Sequence, residues 1–397
     1  MRIFKRLHFF IHVISQYIGL KSFCLFRIKE NRIFFEAFGG SQISCNPYYI
    51  YMGMLQTHED CEMVWSYIKT GKVDGFQCVK ANSILYYYYL LTSHVVITNV
   101  GFPYNVPFRK KQTIINTWHG GGAYKRVGYD VGKKKSNRVN SFFDRKRKEY
   151  TNYFYLASCK KFAEVNTNSF CVSEDRFLSV GMPRNDVFFD ETLIENFNVK
   201  VREKLGLKEH EFVILYAPTY RSPHECLRTG IDYSILVDSV KKRFQTDDVV
   251  ILQRCHYHSD SVNEEEDTIG IKKINVARYP FMQELLCCAD MLISDYSSCI
   301  WDYSFTYKPC LLFTPDLASY KCDINFYVPI NSWGFHVASN NEELKNEVLS
   351  FNMEEYVERM EEHHRQYGSY ETGNATDKVL EIIRNILQGK VKTACTG

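Results

Sequence analysis

The chain has 397 residues, 45% of them hydrophobic, with a formal net charge of only +3. That length suits two domains and that apolar content gives each a core, which argues against disorder. Fourteen cysteines without framework spacing or a secretory signal fit reduced, buried thiols rather than a disulfide scaffold or zinc module.

The N-terminal stretch, residues 9–26, is apolar but interrupted by His12, Gln16 and Lys21, which argues against a spanning helix. On a helical wheel Lys5, His8, His12, Ser15, Gln16, Gly19 and Ser22 fall on one polar stripe. Two readings stand for this amphipathic segment: a helix lying in a membrane interface, or one docked on the protein's own core. Strand candidates follow at residues 31–38, 94–99, 112–118, 152–158 and 176–180. The periodicity lapses at residues 190–199, the expected domain boundary. Beyond it, residues 212–216, 249–254, 291–293 and 310–313 read as strands, and residues 232–244, 280–288, 342–349, 353–366 and 375–387 as helices. Strand–helix alternation predicts an α/β protein with two doubly wound parallel sheets. In such sheets ligands bind beyond the carboxyl ends of the strands.

Polar clusters stand at those ends. Ile293 leads into Ser294-Asp295-Tyr296-Ser297-Ser298 and then a helix start, where hydroxyls and unpaired N–H groups suit a phosphate, although serine caps are also common structurally. Trp118-His119-Gly120-Gly121-Gly122 combines a residue that takes protons near neutral pH with backbone open to close approach; a core histidine beside a turn is the plainer alternative. Arg254 and His256, two apart at another strand end, would point to one side and suit a diphosphate. Thr219 and Arg221 follow a strand, and Arg184, Asn185 and Asp186 follow a turn, where Asp186 has the alternative of a helix cap. No GxGxxG, Walker, GxSxG or HExxH motif occurs, and no DxD stands at these strand ends, so P-loop hydrolases, zincins and metal-clamped nucleotide-sugar enzymes are disfavoured and no metal or cofactor is called for. Between Arg109 and Lys148 thirteen basic residues face only Asp130 and Asp144, so an anionic partner is expected there, with an ordinary solvated surface as the alternative.

These clusters, in this order, resemble the CDP-glycerol glycerophosphotransferases of teichoic acid and capsule synthesis, enzymes of GT-B architecture. The resemblance runs through residues 31–51, 115–130, 180–186, 216–221, 252–257, 293–320 and 368–383. It implies a first segment over residues 1–30, an acceptor-side domain over 31–190 and a donor domain over 191–397 whose last helix crosses back. It implies His119 as general base on the acceptor hydroxyl and His256 as the second catalytic histidine. Thr219, Arg221, Arg254, Asp295, Ser297 and Ser298 would line the donor groove. Trp118, Gly120, Arg184, Asn185 and Asp186 would border the interdomain cleft. The implied donor is CDP-glycerol or CDP-ribitol and the acceptor a lipid-linked glycan or polymer. The place would be the cytoplasmic face of the membrane, peripherally bound to an anionic surface, with no nucleic acid. The family has Thr-Pro-Leu-Lys after Trp-His-Gly, whereas here Gly121-Gly122-Ala123-Tyr124 precedes Lys125, so a less stiff loop is expected. A GT-B glycosyltransferase using a nucleotide sugar and an inactive membrane scaffold are the competing functions.

Overall fold

The computed structural model describes residues 15–57, 60–69, 73–103, 105–131, 152–219, 230–254 and 270–390. Residues 1–14, Arg221, His256 and the basic residues from Lys133 to Lys148 lie outside these.

The first lobe contributes strands β1 (Lys29–Glu36), β2 (Glu62–Tyr67), β3 (Cys78–Lys80), β4 (Ser93–Thr98), β5 (Thr113–Asn116), β6 (Tyr153–Leu156) and β7 (Phe177–Leu178), with helices α1 (Cys45–Gln56), α2 (Ile84–Thr92) and α3 (Lys160–Phe170). After a 3-10 segment, Pro183–Phe189, helix α4 (Glu191–Leu205) leads into the second lobe. There follow β8 (Phe212–Tyr216), α5 (Tyr233–Phe244), β9 (Val249–Gln253), β10 (Lys272–Asn275), α6 (Met282–Cys288), β11 (Met291–Ser294), α7 (Cys299–Ser304), β12 (Cys310–Phe313), α8 (Leu317–Asp323), β13 (His336–Ala338), α9 (Asn341–Leu349), α10 (Met353–Tyr367) and α11 (Ala375–Leu387).

Among the described residues the strands form two sheets, ordered β3-β2-β1-β4-β5-β6-β7 and β10-β9-β8-β11-β12-β13, with parallel pairing throughout. Both are doubly wound, and the order reverses between β1 and β4 in one and between β8 and β11 in the other. A crevice opens at such a switch point. The central strands are buried on both faces, β4 and β11 almost throughout, so their middles read as short apolar runs, residues 95–97 and 291–293, rather than alternating ones.

Two differences from the sequence reading have physical causes. Residues 190–199, where the periodicity lapses, are helical: they begin α4, capped by Asp190 through the Leu193 amide. Its apolar stripe, Ile194, Phe197, Val201 and Leu205, packs on the core, but Leu193 and Val199 are exposed apolar residues off that stripe and blur the period in the sequence. Arg109 is no free surface cation either: its guanidinium donates to the carbonyls of Phe26 at 2.7 Å, Cys24 at 3.3 Å and Leu91, which binds residues 24–26 to the lobe.

Besides α4, two segments pass from one lobe into the other. Val379, Leu380 and Ile383 of α11 pack with Ile33, Phe35, Val95 and Ile97 of the first sheet, so the last helix completes the core of the first lobe. The segment after β5 enters the second lobe. Lys125 bridges Phe326 in antiparallel fashion, and the amides of Arg126 and Tyr327 donate to the carbonyls of Asn325 and Tyr124 at 3.1 and 2.9 Å. Tyr124 is buried, with its hydroxyl 2.8 Å from His363 Nε2 and its ring centroid 4.5 Å from that of Trp333. The Gly121–Tyr124 stretch, expected to be less stiff, is therefore held by packing. Truncating Ile383 to Ala should cost about 2–5 kcal/mol of stability, read by urea unfolding of the whole chain, because the deleted atoms lie under the first sheet.

Candidate active site

His119 stands just beyond β5. Its Nδ1 lies 2.9 Å from the carbonyl oxygen of Asn99, the residue after β4. A carbonyl only accepts, so Nδ1 carries the proton and Nε2 keeps its lone pair. The ring lies against Trp118 and Phe38, with centroids 4.6 and 5.7 Å away. Burial lowers the histidine's proton affinity; the Asn99 bond opposes this, and the charges of Arg184 and Lys125 reinforce it. The arrangement is that of a neutral imidazole ready to take a proton.

The backbone that presents it is strained. Trp118 has φ 54°, in the left-handed region that a bulky residue rarely occupies. Its amide donates to Asn116 Oδ1 at 2.9 Å, while Asn46 Nδ2 donates to the carbonyls of Thr117 and Trp118, each at 3.3 Å. Asn46 Oδ1 in turn accepts from the Arg184 amide at 3.1 Å.

Across the cleft, Ser297 and Ser298 are half-buried at the start of α7. Ser298 makes no capping bond with its hydroxyl. A Cβ placed on Gly120 would sit 3.2 Å from Ser298 Oγ, so glycine lets the loop beside His119 approach Ser298 closely. At Gly121 a Cβ would fall 2.1 Å from Trp301 Cδ1, inside its van der Waals radius. These close approaches bring the His119 loop and the start of α7 at Ser298 to one boundary between the lobes.

Arg184 and Asn185 lie in the same place. Arg184 forks onto Asp302, Nε to Oδ2 at 2.9 Å and Nη2 to Oδ1 at 3.0 Å, and its Nη1 donates to the His119 carbonyl at 3.0 Å. Asn185 Nδ2 donates to Asp302 and to Glu371 Oε1, both at 3.1 Å. Glu371 also accepts from the Met182 amide at 2.9 Å and Trp301 Nε1 at 3.1 Å. Burial pushes the Glu371 carboxyl up to about 8. Asp186 points elsewhere: its two oxygens accept the amides of Ala375 and Thr376 at 2.8 and 2.7 Å and cap α11.

Of the residues expected along the donor groove, Asp295 and Thr219 are bonded to each other. Asp295 Oδ1 accepts the Thr219 amide at 2.8 Å and hydroxyl at 2.7 Å, a clip across the β8–β11 switch point. Arg254 follows β9, and its Nη1 donates to the carbonyls of Val276 and Tyr279 at 3.1 and 2.8 Å, bracing the loop after β10. His256 and Arg221 fall outside the described residues. The sequence reading missed Asn46, Asn99, Asp302 and Glu371. Asp302 stands inside the Ile293–Phe305 run, but an acid in a first helical turn looks like an ordinary dipole partner. Among the described residues no group of three or more His, Cys, Asp or Glu is placed to hold a metal ion.

Comparison with known proteins gives a consistent set of matches. Residues 20–385 match the profile of the family described as CDP-Glycerol:Poly(glycerophosphate) glycerophosphotransferase. The chain is 30% identical over 377 residues to a teichoic acid poly(glycerol phosphate) polymerase of Staphylococcus epidermidis, covering 90% of this chain and 51% of that protein. It thus spans about half the length of that polymerase. A teichoic acid glycerol-phosphate transferase of Staphylococcus aureus is 26% identical, with 89% of this chain and 93% of that protein covered. The solved wall teichoic acid polymerase TagF, in a histidine-variant form soaked with CDPG, superposes with a TM-score of 0.80 at 25% identity, covering 98% of both chains. The two-sheet architecture is therefore GT-B-like.

Substituting Gly121 by Ala should destabilise the chain by about 1–3 kcal/mol and displace the His119 loop. Gly101→Ala, at a site with no atom within 4 Å of the new Cβ, should leave both unchanged. Thermal melting of the two variants checks this.

Proposed function

The chain belongs to the CDP-glycerol:poly(glycerophosphate) glycerophosphotransferase family, and from that premise we propose that it transfers glycerol phosphate, or the related ribitol phosphate, from a CDP-activated donor to a membrane-linked glycan or teichoic acid-like polymer, releasing CMP. The observation that carries this reading is a histidine whose Nδ1 is held by a carbonyl, which leaves Nε2 as the basic nitrogen, followed by a glycine that packs close to Ser298.

In this mechanism the acceptor hydroxyl gives its proton to Nε2 of His119 and attacks the distal phosphorus in line. The bond from that phosphorus to the bridging oxygen breaks, and CMP leaves with the electrons. Charge grows on the equatorial and bridging oxygens, where the Ser297-Ser298 turn, Arg254 and His256 are assigned to receive it. Thr219 and Arg221 line the donor groove, and Asp295 keeps Thr219 in place.

A peripheral position on the inner surface of an anionic membrane belongs to the same reading. Leu25 and Phe26 are 88% and 52% exposed, and Ile84 and Leu85 78% and 60%. Phe26 meets Tyr88 of α2 edge-on at 5.4 Å, which joins the two apolar groups, and Lys21, Arg27, Lys110 and Lys111 are exposed nearby in the chain or around the hollow that Leu25 and Phe26 line. Apolar side chains amid exposed cations suit an anionic lipid surface. No helix among the described residues is long and apolar enough to cross a membrane.

Incubation with CDP-glycerol, CDP-ribitol and a membrane lipid extract should release CMP and yield a polyol-phosphate product by mass spectrometry. His119→Ala and His256→Ala should each abolish that release while circular dichroism stays native. A nucleoside diphosphate in place of CMP, or near-normal turnover by either variant, would reject the assignment. Because the His119 pKa is lowered from 6.5, the base stays neutral below that pH, so the acid limb of the rate profile should fall below pH 6.5. On vesicles rich in anionic phospholipid, Leu25→Asp with Phe26→Asp should weaken binding, and unchanged co-sedimentation would remove this face from the membrane contact.

A further inference from the structure

We propose that Arg184 and Asp302 act as a positioning pair for His119, fixing the base against the helix that begins at the donor-side serines and setting the charge around its ring. This rests on the reading of His119 as the base.

The geometry gives the pair a reach beyond packing. Asp302 lies in α7, the helix that begins just after Ser298. Besides both contacts from Arg184, its carboxylate accepts Asn185 Nδ2 at 3.1 Å and Gln283 Nε2 at 3.2 Å, so its lone pairs are well used and its position is over-determined. Arg184 spends Nε and Nη2 on that carboxylate and turns Nη1 to the His119 carbonyl at 3.0 Å and to Cys45 Sγ at 3.1 Å. One rigid fork, carried on the 3-10 segment, thus ties the main chain of the base to a helix in the opposite lobe. A lysine has no such fork and cannot hold the carboxylate and the carbonyl in one fixed plane.

The pair also controls charge. Arg184 and Lys125 are the cations that face the imidazole, with Asp302 behind Arg184 and Glu371 bridged to it through Asn185. Asp302 neutralises part of what Arg184 imposes on the ring. Removing one member therefore moves the histidine's proton affinity in the direction opposite to removing the other, which a purely mechanical brace does not do.

The test uses the whole chain as Arg184→Lys, Arg184→Gln and Asp302→Asn. Each is followed by kcat and KM for CDP-glycerol and by NMR titration of the His119 ring, assigned against His119→Ala. In Arg184→Gln the ring loses a facing cation and keeps an uncompensated Asp302, so its midpoint should rise. In Asp302→Asn the cation loses its partner, so the midpoint should fall. Arg184→Lys keeps the charge, so its midpoint should stay near that of the parent chain while kcat falls on the order of 100-fold with little change in KM. Midpoints that stay fixed in all three, or that move the same way in Arg184→Gln and Asp302→Asn, would overturn the proposal, as would an Arg184→Lys variant of unaltered kcat. Should Arg184→Gln not fold, a fall in Asp302→Asn with an unmoved, slow Arg184→Lys supports it, and any other result rejects it. Opposite shifts in a parent chain that releases no CMP would sink the assigned reaction and leave the pair's hold on His119 standing. Normal CMP release with no shifts would do the reverse.

Discussion

A guanidinium and a carboxylate almost fully removed from water, with side chains 5% and 3% exposed, hold this molecule's two halves in register. Such an ion pair gains little net stability, because desolvating both groups consumes most of the Coulomb attraction. Breaking it is another matter: an uncompensated charge left inside costs about 3–5 kcal/mol. Arg184 and Asp302 therefore specify more than they stabilise. The fork's four bonds, to Asp302, to the His119 carbonyl and to Cys45, fix the 3-10 segment, α7 and the His119 loop relative to one another.

Around that pair the lobes behave structurally as one body. Tyr124 reaches from the first lobe into the aromatic centre of the second, and the core that begins under β1 and β4 runs without interruption to Ile293 and Trp301. The segment that carries the base is thus fixed at both ends, by Asn99 and Asn46 on its own side and by Phe326 and Trp301 on the other. This pre-assembly is what a transfer between two bound reactants needs. The acceptor hydroxyl and the donor phosphorus are brought together by walls that are already in place.

How much of this was legible in the chain depended on distance along it. Strands such as Phe212–Tyr216 and Met291–Ser294 are continuous apolar runs because both their faces are covered, and the polar residues that end them mark the crevice. His119 and the serine pair stood out for that reason. Short or half-exposed strands, Cys78–Lys80 and His336–Ala338 among them, left no pattern long enough to read. Helix α1 was hidden because it is apolar on several sides, facing the first sheet with Ile50 and Met54 and the second lobe with Tyr48, which lies 4.8 Å from Phe281. The roles of Asp302 and Glu371 were out of reach. Their partners Arg184 and Met182 lie 118 and 189 residues away, and nothing local signals such a bond.

The path of α11 bears on how the chain comes into being. The first sheet is translated early, yet Val379, Leu380 and Ile383 belong under it. Until those residues have left the ribosome, this face of the sheet has only the cover of α1, whose Tyr51 packs on Phe35, although its strands can already pair. The earlier-made half must wait for the later one, so the nascent molecule carries a half-covered apolar floor through most of its synthesis.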